Sequence, residues 1–150
     1  MTEVHSEQFT IERRLRKCPE HVFSAWSNAE KKQRWFAPGS ERFTDDFKVG
    51  GRAYGAFENE MGLHENETRY FEIIKDSLIV YGYSMAMNGR IHSVSLVTIR
   101  FEDDNGGTQL IYDERMTVLA QSDGAAGRQH GWGVLLDAME AELDREMAQA

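Results

Sequence analysis

The sequence predicts an α+β protein in which a curved antiparallel sheet of about six to seven strands wraps a long C-terminal helix. Two observations lead to this prediction. Residues 127–147 repeat apolar side chains at helical spacing, whereas residues 43–119 repeat them at every second position. Because strands and helices are segregated along the chain, we expect an antiparallel sheet with the helices on one side.

The N-terminal part of the chain predicts one strand followed by two short helices. Apolar and polar residues alternate over residues 9–16, which is typical of a strand. Pro19 then opens a short helix, because proline fits the first helical turn. A second short helical pattern covers residues 30–35 and ends before Pro38.

The middle of the chain consists of strand patterns separated by turns. Asn88-Gly89 is the strongest hairpin signal, since this pair favours a type I′ turn. Residues 60–67 are polar and predict a loop in which His64 is solvated. The six strand patterns cover residues 43–49, 52–58, 68–75, 78–87, 91–101 and 108–119.

The predicted C-terminal helix has one apolar face and one charged face. At a rise of ~1.5 Å per residue it would extend roughly 30 Å, enough to cross a small domain. Ser122 or Asp123 could cap its start. Charged residues such as Glu142 fall on the opposite face, which we expect to be solvated. The apolar face consists of Trp132, Leu135, Leu136, Met139, Leu143 and Met147.

Composition and charge restrict the possible partners. The 150 residues suit one domain, residues 1–150, with a sizeable core. A formal net charge of −8 disfavours nucleic acid and anionic membranes, and no apolar run reaches membrane-spanning length. A single cysteine, Cys18, and the absence of a signal-peptide pattern predict a cytoplasmic protein. No metal-ligand spacing or nucleotide loop occurs, so no metal and no cofactor are expected.

Six short motifs in a fixed order carry a resemblance to a known family. They are residues 19–26 (PEHVFSAW), 34–38 (RWFAP), 48–52 (KVGGR), 78–81 (LIVY), 106–110 (GGTQL) and 131–143 (GWGVLLDAMEAEL). Together they resemble the START-like (SRPBCC) superfamily, in the branch related to the activator of the heat-shock protein 90 ATPase. The resemblance extends over residues 9–146, and Ser77 departs from it because a basic residue is commoner there.

This resemblance implies the helix-grip fold, also called the Bet v-type fold, in which a curved sheet grips the C-terminal helix. START-like proteins include lipid carriers, polyketide cyclases and co-chaperones, so the fold leaves these functions open. In the eukaryotic co-chaperone a separate N-terminal domain accompanies this fold, and the 150 residues contain no counterpart of it. That difference argues against chaperone activation.

The same architecture would leave space for a pocket between the sheet and the helix. Five side chains on the two strands around Asn88-Gly89 would point inward. They could be core packing with hydroxyl groups at a rim, or they could line a cavity for an amphipathic or aromatic molecule. Both interpretations remain open. The five are Tyr81, Tyr83, Met85, Ser95 and Val97.

Glu114 is the main titratable candidate. It shares a strand face with Tyr112 and Met116, so its carboxylate would point into the core and would have to be paired or protonated. It could orient a ligand, act as an acid or base, or form a structural ion pair between strand and helix. Its candidate partners are Arg128, His130, His92 and Tyr83.

The glycines at the start of the long helix need an explanation, because each costs ~1 kcal/mol against alanine inside a helix. They are Gly127, Gly131 and Gly133. The helix could start after them, near Trp132, or they could allow a close approach to the sheet or leave room for a ligand. We favour the second interpretation for Gly131.

Our leading hypothesis is that the chain is a START-like protein that binds a small hydrophobic or aromatic molecule, or a lipid, between the sheet and the C-terminal helix. One alternative is a polyketide-cyclase-like enzyme that uses Glu114 with His92 or Tyr83 as acid and base. Another is a co-chaperone-type interaction module. A monomer and a homodimer are both compatible with the sequence. The predicted ligand contacts are Trp35, Phe57, Tyr81, Tyr83, His92, Glu114, Trp132 and Met139.

Overall fold

The computed structural model describes residues 4–119, 122 and 124–149, with side chains described as far as Glu146. Seven strands and three helices follow one another in this part of the chain. They are β1 (His5–Leu15), α1 (Pro19–Ser27), α2 (Ala29–Phe36), β2 (Phe43–Asp45), β3 (Arg52–Asn59), β4 (Gly62–Ile74), β5 (Leu78–Met87), β6 (Arg90–Asp104), β7 (Gly107–Val118) and α3 (Gly124–Gln149).

The strands form one antiparallel sheet in the order β1-β7-β6-β5-β4-β3-β2. Only the pairing of β1 with β7 joins strands distant in sequence, because every other neighbouring pair is consecutive in the chain. The curved sheet, the long C-terminal helix and the two short helices after β1 confirm the predicted α+β helix-grip fold.

The long helix packs its apolar face against the inside of the sheet, as the spacing predicts. Trp132, Leu136, Met139 and Leu143 are buried in the core on this face. The helix begins three residues earlier than predicted, at Gly124, whose backbone N–H donates to the Ser122 hydroxyl at 3.2 Å. The alternative cap, Asp123, and the side chain of Met147 lie outside the described residues.

Glu142 corrects the prediction of a fully solvated charged face, because it is only 4% exposed. Arg34 on α2 lies 3.1 Å from its carboxylate, and Arg145 donates to it at 2.9 Å. Burial alone would raise the pKa of the Glu142 carboxyl, but the hydrogen bonds from Arg145 and Arg34 lower it overall. An ion pair between helices therefore covers this charged residue.

Several strands differ in length from the prediction, among them β2 and β4. β2 ends at Asp45, because the backbone then turns through a hydrogen bond from Lys48 N to Asp46 O of 3.0 Å. β4 begins at Gly62, so most of the predicted loop at 60–67 is strand. His64 lies on this strand and not in a loop, and it is half-buried with its ring stacked on the exposed Phe57 at 4.7 Å, so its expected solvation is only partial.

The two short helices pack beside the sheet, α1 against β6 and β7 and α2 chiefly against α3. Pro19 occupies the first turn of α1, as predicted, and the Asn28 side chain caps α2 by accepting from the backbone N–H of Lys31 at 3.1 Å. α2 turns Lys32 and Trp35 inward. This helix therefore carries one charged and one aromatic side chain towards the interior.

Candidate functional site

A cavity of about 410 Å³ lies between the sheet, α2 and α3. This volume falls within the range of ~300–1,000 Å³ that is usual for small-molecule sites. Its walls are mostly apolar, with a few polar groups set among them. The apolar walls include Phe36, Phe57, Tyr81, Met85, Trp132 and Leu135, and the polar groups include Lys32, Ser40, Asn66, Thr68, Tyr83 and Arg128.

The predicted inward strand face is confirmed. Tyr81, Tyr83, Ser95 and Val97 are all buried, and Met85 lines the cavity. Some of these side chains thus fill the core and others form a cavity wall, and occupation of that cavity by an amphipathic or aromatic molecule stays a prediction.

Four of the predicted ligand contacts line the cavity, namely Phe57, Tyr81, Tyr83 and Trp132. Gly131 lines it too, and a Cβ atom added there would meet no atom within 4 Å. The structure thus places open space beside this glycine, as expected for a residue that leaves room beneath the helix.

The other four predicted contacts lie away from the cavity wall. Trp35 and Met139 are buried in the core, where the Trp35 indole N–H donates to the Ala25 carbonyl at 3.0 Å. His92 falls in an irregularity of β6 opposite β5 and is half-buried. Glu114 is completely buried behind the wall residue Tyr83. Contact between a ligand and any of these four stays a prediction, and none of them lines the space that the structure shows.

Glu114 is held by hydrogen bonds from four side chains. One carboxylate oxygen, Oε2, accepts from Tyr83 at 2.7 Å, Ser95 at 2.7 Å and Arg128 at 3.1 Å. The other, Oε1, accepts from Tyr112 at 2.7 Å. Two of the four proposed partners, Tyr83 and Arg128, are thus confirmed, whereas His130 is exposed.

Arg128 extends this network from α3 to the sheet. It donates to the Tyr83 hydroxyl at 2.8 Å and to the Ser93 hydroxyl at 2.6 Å. Burial, followed by the negative charge of Glu114, raises the pKa of Tyr83. Four donors converge on this carboxylate, three of them on Oε2, so the arrangement suits an anchor better than a general base. We call Glu114, Arg128, Tyr83, Ser93, Ser95 and Tyr112 the Glu114 cluster.

A second buried polar cluster lies on the other side of the cavity. The Lys32 ammonium donates to the Tyr70 hydroxyl at 3.0 Å and lies 3.2 Å from Oδ2 of Asp45. The Tyr70 hydroxyl in turn donates to Oδ1 of Asp45 at 2.7 Å. The side chain of Asp45 is fully buried, and that of Lys32 is 8% exposed. We call these three residues the Lys32 cluster.

Burial dominates the electrostatics of the Lys32 cluster. Desolvation lowers the pKa of Lys32, and the attraction of Asp45 opposes this shift only in part. Desolvation and the charge of Asp45 both raise the pKa of Tyr70. Sequence reasoning missed this cluster, although Lys32 stands three residues before Trp35 and therefore shares its inward face of α2.

A glycine turn positions the Lys32 cluster. The backbone N–H of Gly50 donates to the Tyr70 carbonyl at 2.8 Å, and the N–H of Tyr70 donates to the Gly51 carbonyl at 3.1 Å. A Cβ atom at Gly51 would lie 2.0 Å from the Asp46 carbonyl oxygen, so only glycine fits. The GGR motif therefore fixes the chain that carries Asp45 against β4.

Among the described residues, no three His, Cys, Asp or Glu side chains lie close enough to hold a metal ion. None of the helices in the described part of the chain is long and apolar enough to cross a membrane.

A sheet that closes on a long helix around an apolar cavity defines a START-like helix-grip protein. More specifically, the chain belongs to the family described as activator of Hsp90 ATPase homolog 1-like protein, whose model matches residues 17–144. No curated protein matches the sequence significantly.

Solved structures agree with this assignment. A protein from Rhizobium leguminosarum is 31% identical with a TM-score of 0.91, covering 97% of this chain and 99% of its own. A protein from Rhizobium loti is 33% identical with a TM-score of 0.88, covering 93% and 99% respectively. The structure of Ara h 8.0201, at 12% identity, shares the fold with a TM-score of 0.71, covering 93% and 98%.

Proposed function

We propose that this protein binds a small hydrophobic or aromatic molecule in the cavity between the sheet and α3. The observation that carries the proposal is the cavity itself, about 410 Å³ of space with largely apolar walls beside the packed core. A concave, mostly apolar space of this size with a few polar groups is the usual form of a small-molecule site.

The volume limits the ligand. At ~30 Å³ per water molecule in the liquid, about 410 Å³ corresponds to roughly fourteen waters. A molecule with one or two rings, or a short acyl chain, fits that space. Aromatic walls such as Phe36 and Trp132 favour a flat apolar body, while Tyr83, Asn66 and Lys32 supply hydrogen bonds for one polar group.

We further propose that residues 1–150 act as one domain in the cytoplasm, which the single cysteine supports. The resemblance also suggests an alternative, an enzyme that uses Glu114 as acid or base. The four hydrogen bonds on that carboxylate favour binding over such a reaction. Ligand binding is therefore the function that the geometry supports best.

Native mass spectrometry of the gently purified protein tests this proposal, together with the denatured mass and an organic extract. Extra mass that leaves on denaturation would show a bound molecule, and the extract would identify its class. Leu135→Trp should fill the cavity and abolish that mass, because Leu135 lines it. Val134→Trp is the matched control, since the adjacent Val134 is 54% exposed and should leave binding unchanged.

A clean apo mass, combined with no thermal shift from any amphipathic compound in a panel, would contradict the proposal. The interaction-module hypothesis would then be preferred. An interaction module needs exposed apolar surface. Phe71 and Val94 on the outer face of the sheet, each 50% exposed, would provide it.

A further inference from the structure

Lys32 is a buried amine in the wall of an apolar cavity. The residue is 6% exposed and contributes to the cavity lining. Lys17 is covered to a similar degree, but its partner Asp144 is 62% exposed. The partner of Lys32, Asp45, is fully buried. Lys32 therefore differs from Lys17 in having both charges of its ion pair removed from water.

The polar contacts of Lys32 leave part of its capacity unused. An ammonium carries three N–H bonds. The hydrogen bond to Tyr70 and the ion pair with Asp45 account for two of them. Oδ2 of Asp45 lies 3.2 Å from Lys32 but accepts no well-formed hydrogen bond from any described side chain. The Lys32 cluster thus has fewer hydrogen bonds than its donors and acceptors could make.

Desolvation also makes the amine more reactive. Burial lowers the pKa of Lys32, which increases the fraction present as the neutral, nucleophilic amine. A lysine desolvated in an apolar pocket is a recognised way to activate an amine towards carbonyl compounds. The neighbouring carboxylate of Asp45 lies close enough to accept the proton that the ammonium must lose.

We propose that Lys32 binds an apolar aldehyde or ketone covalently, as a protonated imine, inside the cavity. This inference rests on the proposed function, because the carbonyl compound must first occupy the same space. It adds a chemical class of ligand and a named nucleophile to that function.

The reaction balances with the groups present. The Lys32 ammonium gives a proton to Asp45, and its lone pair then attacks the carbonyl carbon. The C–O π electrons move to oxygen, which takes a proton from the attacking nitrogen and yields a neutral carbinolamine. Asp45 then returns its proton to the hydroxyl oxygen, and the nitrogen lone pair forms the C=N bond as the C–O bond breaks and water leaves. Ammonium and carbonyl compound are thus converted to iminium and water, with one positive charge on each side.

Charge conservation explains why a carbonyl compound suits this site better than an acylating agent. An iminium keeps its positive charge beside Asp45, 3.2 Å from the original nitrogen position. An amide would be neutral and would leave the buried carboxylate without a counter-charge, which is costly. The Tyr70 hydroxyl, which donates to Asp45, stabilises the carboxylate in either state.

The test uses the intact chain, cinnamaldehyde and sodium cyanoborohydride, which reduces an iminium to a stable amine. Adducts are located by mass spectrometry of peptides. We expect one main adduct, at Lys32, formed faster than at the exposed Lys48, because the cavity holds the aldehyde beside this amine and the lowered pKa raises its neutral fraction. Lys32→Arg should abolish this adduct, while Lys31→Arg, at the adjacent position, should leave it unchanged.

Cinnamyl alcohol separates this inference from the proposed function, because it has the same shape without the carbonyl group. Reversible binding is followed by tryptophan fluorescence, since Trp132 lines the cavity. If the alcohol binds but the aldehyde labels lysines in order of exposure, Lys48 first, the imine is refuted and the binding function stands. If a panel of apolar alcohols and aldehydes neither binds nor labels Lys32, both are refuted. The positions of the adducts on the wild-type chain test the imine even if Lys32→Arg fails to fold.

Discussion

The two buried polar clusters on either side of the cavity differ in how completely their charges are satisfied. In the Glu114 cluster, four donors occupy both oxygens of the carboxylate. In the Lys32 cluster, Asp45 accepts one hydrogen bond, from Tyr70, and its second oxygen has only the ion pair with Lys32. Burying a charge is costly unless it is paired and hydrogen-bonded. We therefore expect the Glu114 cluster to stabilise the fold, whereas the Lys32 cluster keeps polar groups that can still bind or react.

Position in the fold explains this difference. The Glu114 cluster joins the central strands β5, β6 and β7 to α3. The Lys32 cluster joins α2 to β4 and to β2, a three-residue strand at the edge of the sheet. Edge elements open locally at lower free energy than central strands. The surroundings of Lys32 should therefore open with less disturbance of the core than those of Glu114.

The largest effect is expected for Arg128→Met. Removing the guanidinium leaves the Glu114 carboxylate buried without a counter-charge, which should lower the free energy of unfolding by ~3–5 kcal/mol. Urea denaturation measures this loss. Arg115→Met is the control, because Arg115 is 70% exposed and its 3.7 Å ion pair with Asp113 should contribute only ~0–1 kcal/mol. Equal losses in the two variants would contradict the anchoring role of the Glu114 cluster.

A loss of the same order, ~3–5 kcal/mol, is expected for Lys32→Met, because the buried carboxylate of Asp45 then has no counter-charge. The hydrogen bond from Tyr70 stays on Asp45 in the variant. Urea denaturation measures this loss too. Adding Asp45→Asn should recover part of it, since the double variant buries no charge at this position. No recovery in the double variant would contradict the view that the unpaired carboxylate causes the loss.

Alkaline titration compares the clusters through their tyrosines. Burial raises the pKa of Tyr70, Tyr81, Tyr83 and Tyr112 above the usual 10.0. Their protonated forms therefore contribute stability that is fully present below pH 10.0 and is lost as the pH rises towards the folded-state pKa values. Phenolate absorbance should appear together with unfolding. Phenolate formation near pH 10.0 by four tyrosines in the folded protein would rule this out.

Lys32 should make a contribution to the free energy of unfolding that changes with pH in the opposite direction to that of the tyrosines. Its pKa in the folded state lies below 10.5, so the unfolded chain binds more protons as the pH approaches 10.5. The Lys32 contribution to the free energy of unfolding should therefore rise with pH between the lowered pKa and 10.5. The difference between wild type and Lys32→Met, measured across this window, isolates that contribution. A flat difference would mean that the pKa of Lys32 is not lowered.

Most of the fold could be predicted from the sequence, because periodicity and turn residues report burial directly. The helix face around Trp132 and the hairpin at Asn88-Gly89 are examples. The N-terminal half of β4 could not be predicted, because both faces of this partly exposed strand carry polar residues, Glu65 and Glu67 on one face and Asn66 on the other. Alternation carries no signal where neither face is buried.

The site was predicted less completely, for a related reason. Glu114 stood out because a carboxylate on an apolar strand face needs partners. Lys32 did not, because lysine is common on helices and its partners Asp45 and Tyr70 come from distant segments. Only the three-dimensional structure brings these three residues within hydrogen-bonding distance.

The smallest effect on stability is expected for Gly131→Ala, which touches neither cluster. A Cβ atom at Gly131 meets nothing within 4 Å, and alanine is favoured over glycine inside a helix by ~1 kcal/mol. The variant should therefore unfold at slightly higher urea concentration. Because Gly131 lines the cavity, the added methyl group takes space that a ligand would use, and binding of an apolar probe should weaken.

Gly133→Ala is the matched control, since it lies in the same helix but not in the cavity wall. Its Cβ atom would make an ordinary contact, 3.7 Å from Arg13 Nη2, so a similar gain in stability is expected without any loss of probe binding. Equal probe binding by the two variants would show that a ligand does not approach α3 at Gly131. A binding defect confined to Gly131→Ala would place the ligand beneath this turn of the helix, between the Glu114 cluster and the Lys32 cluster.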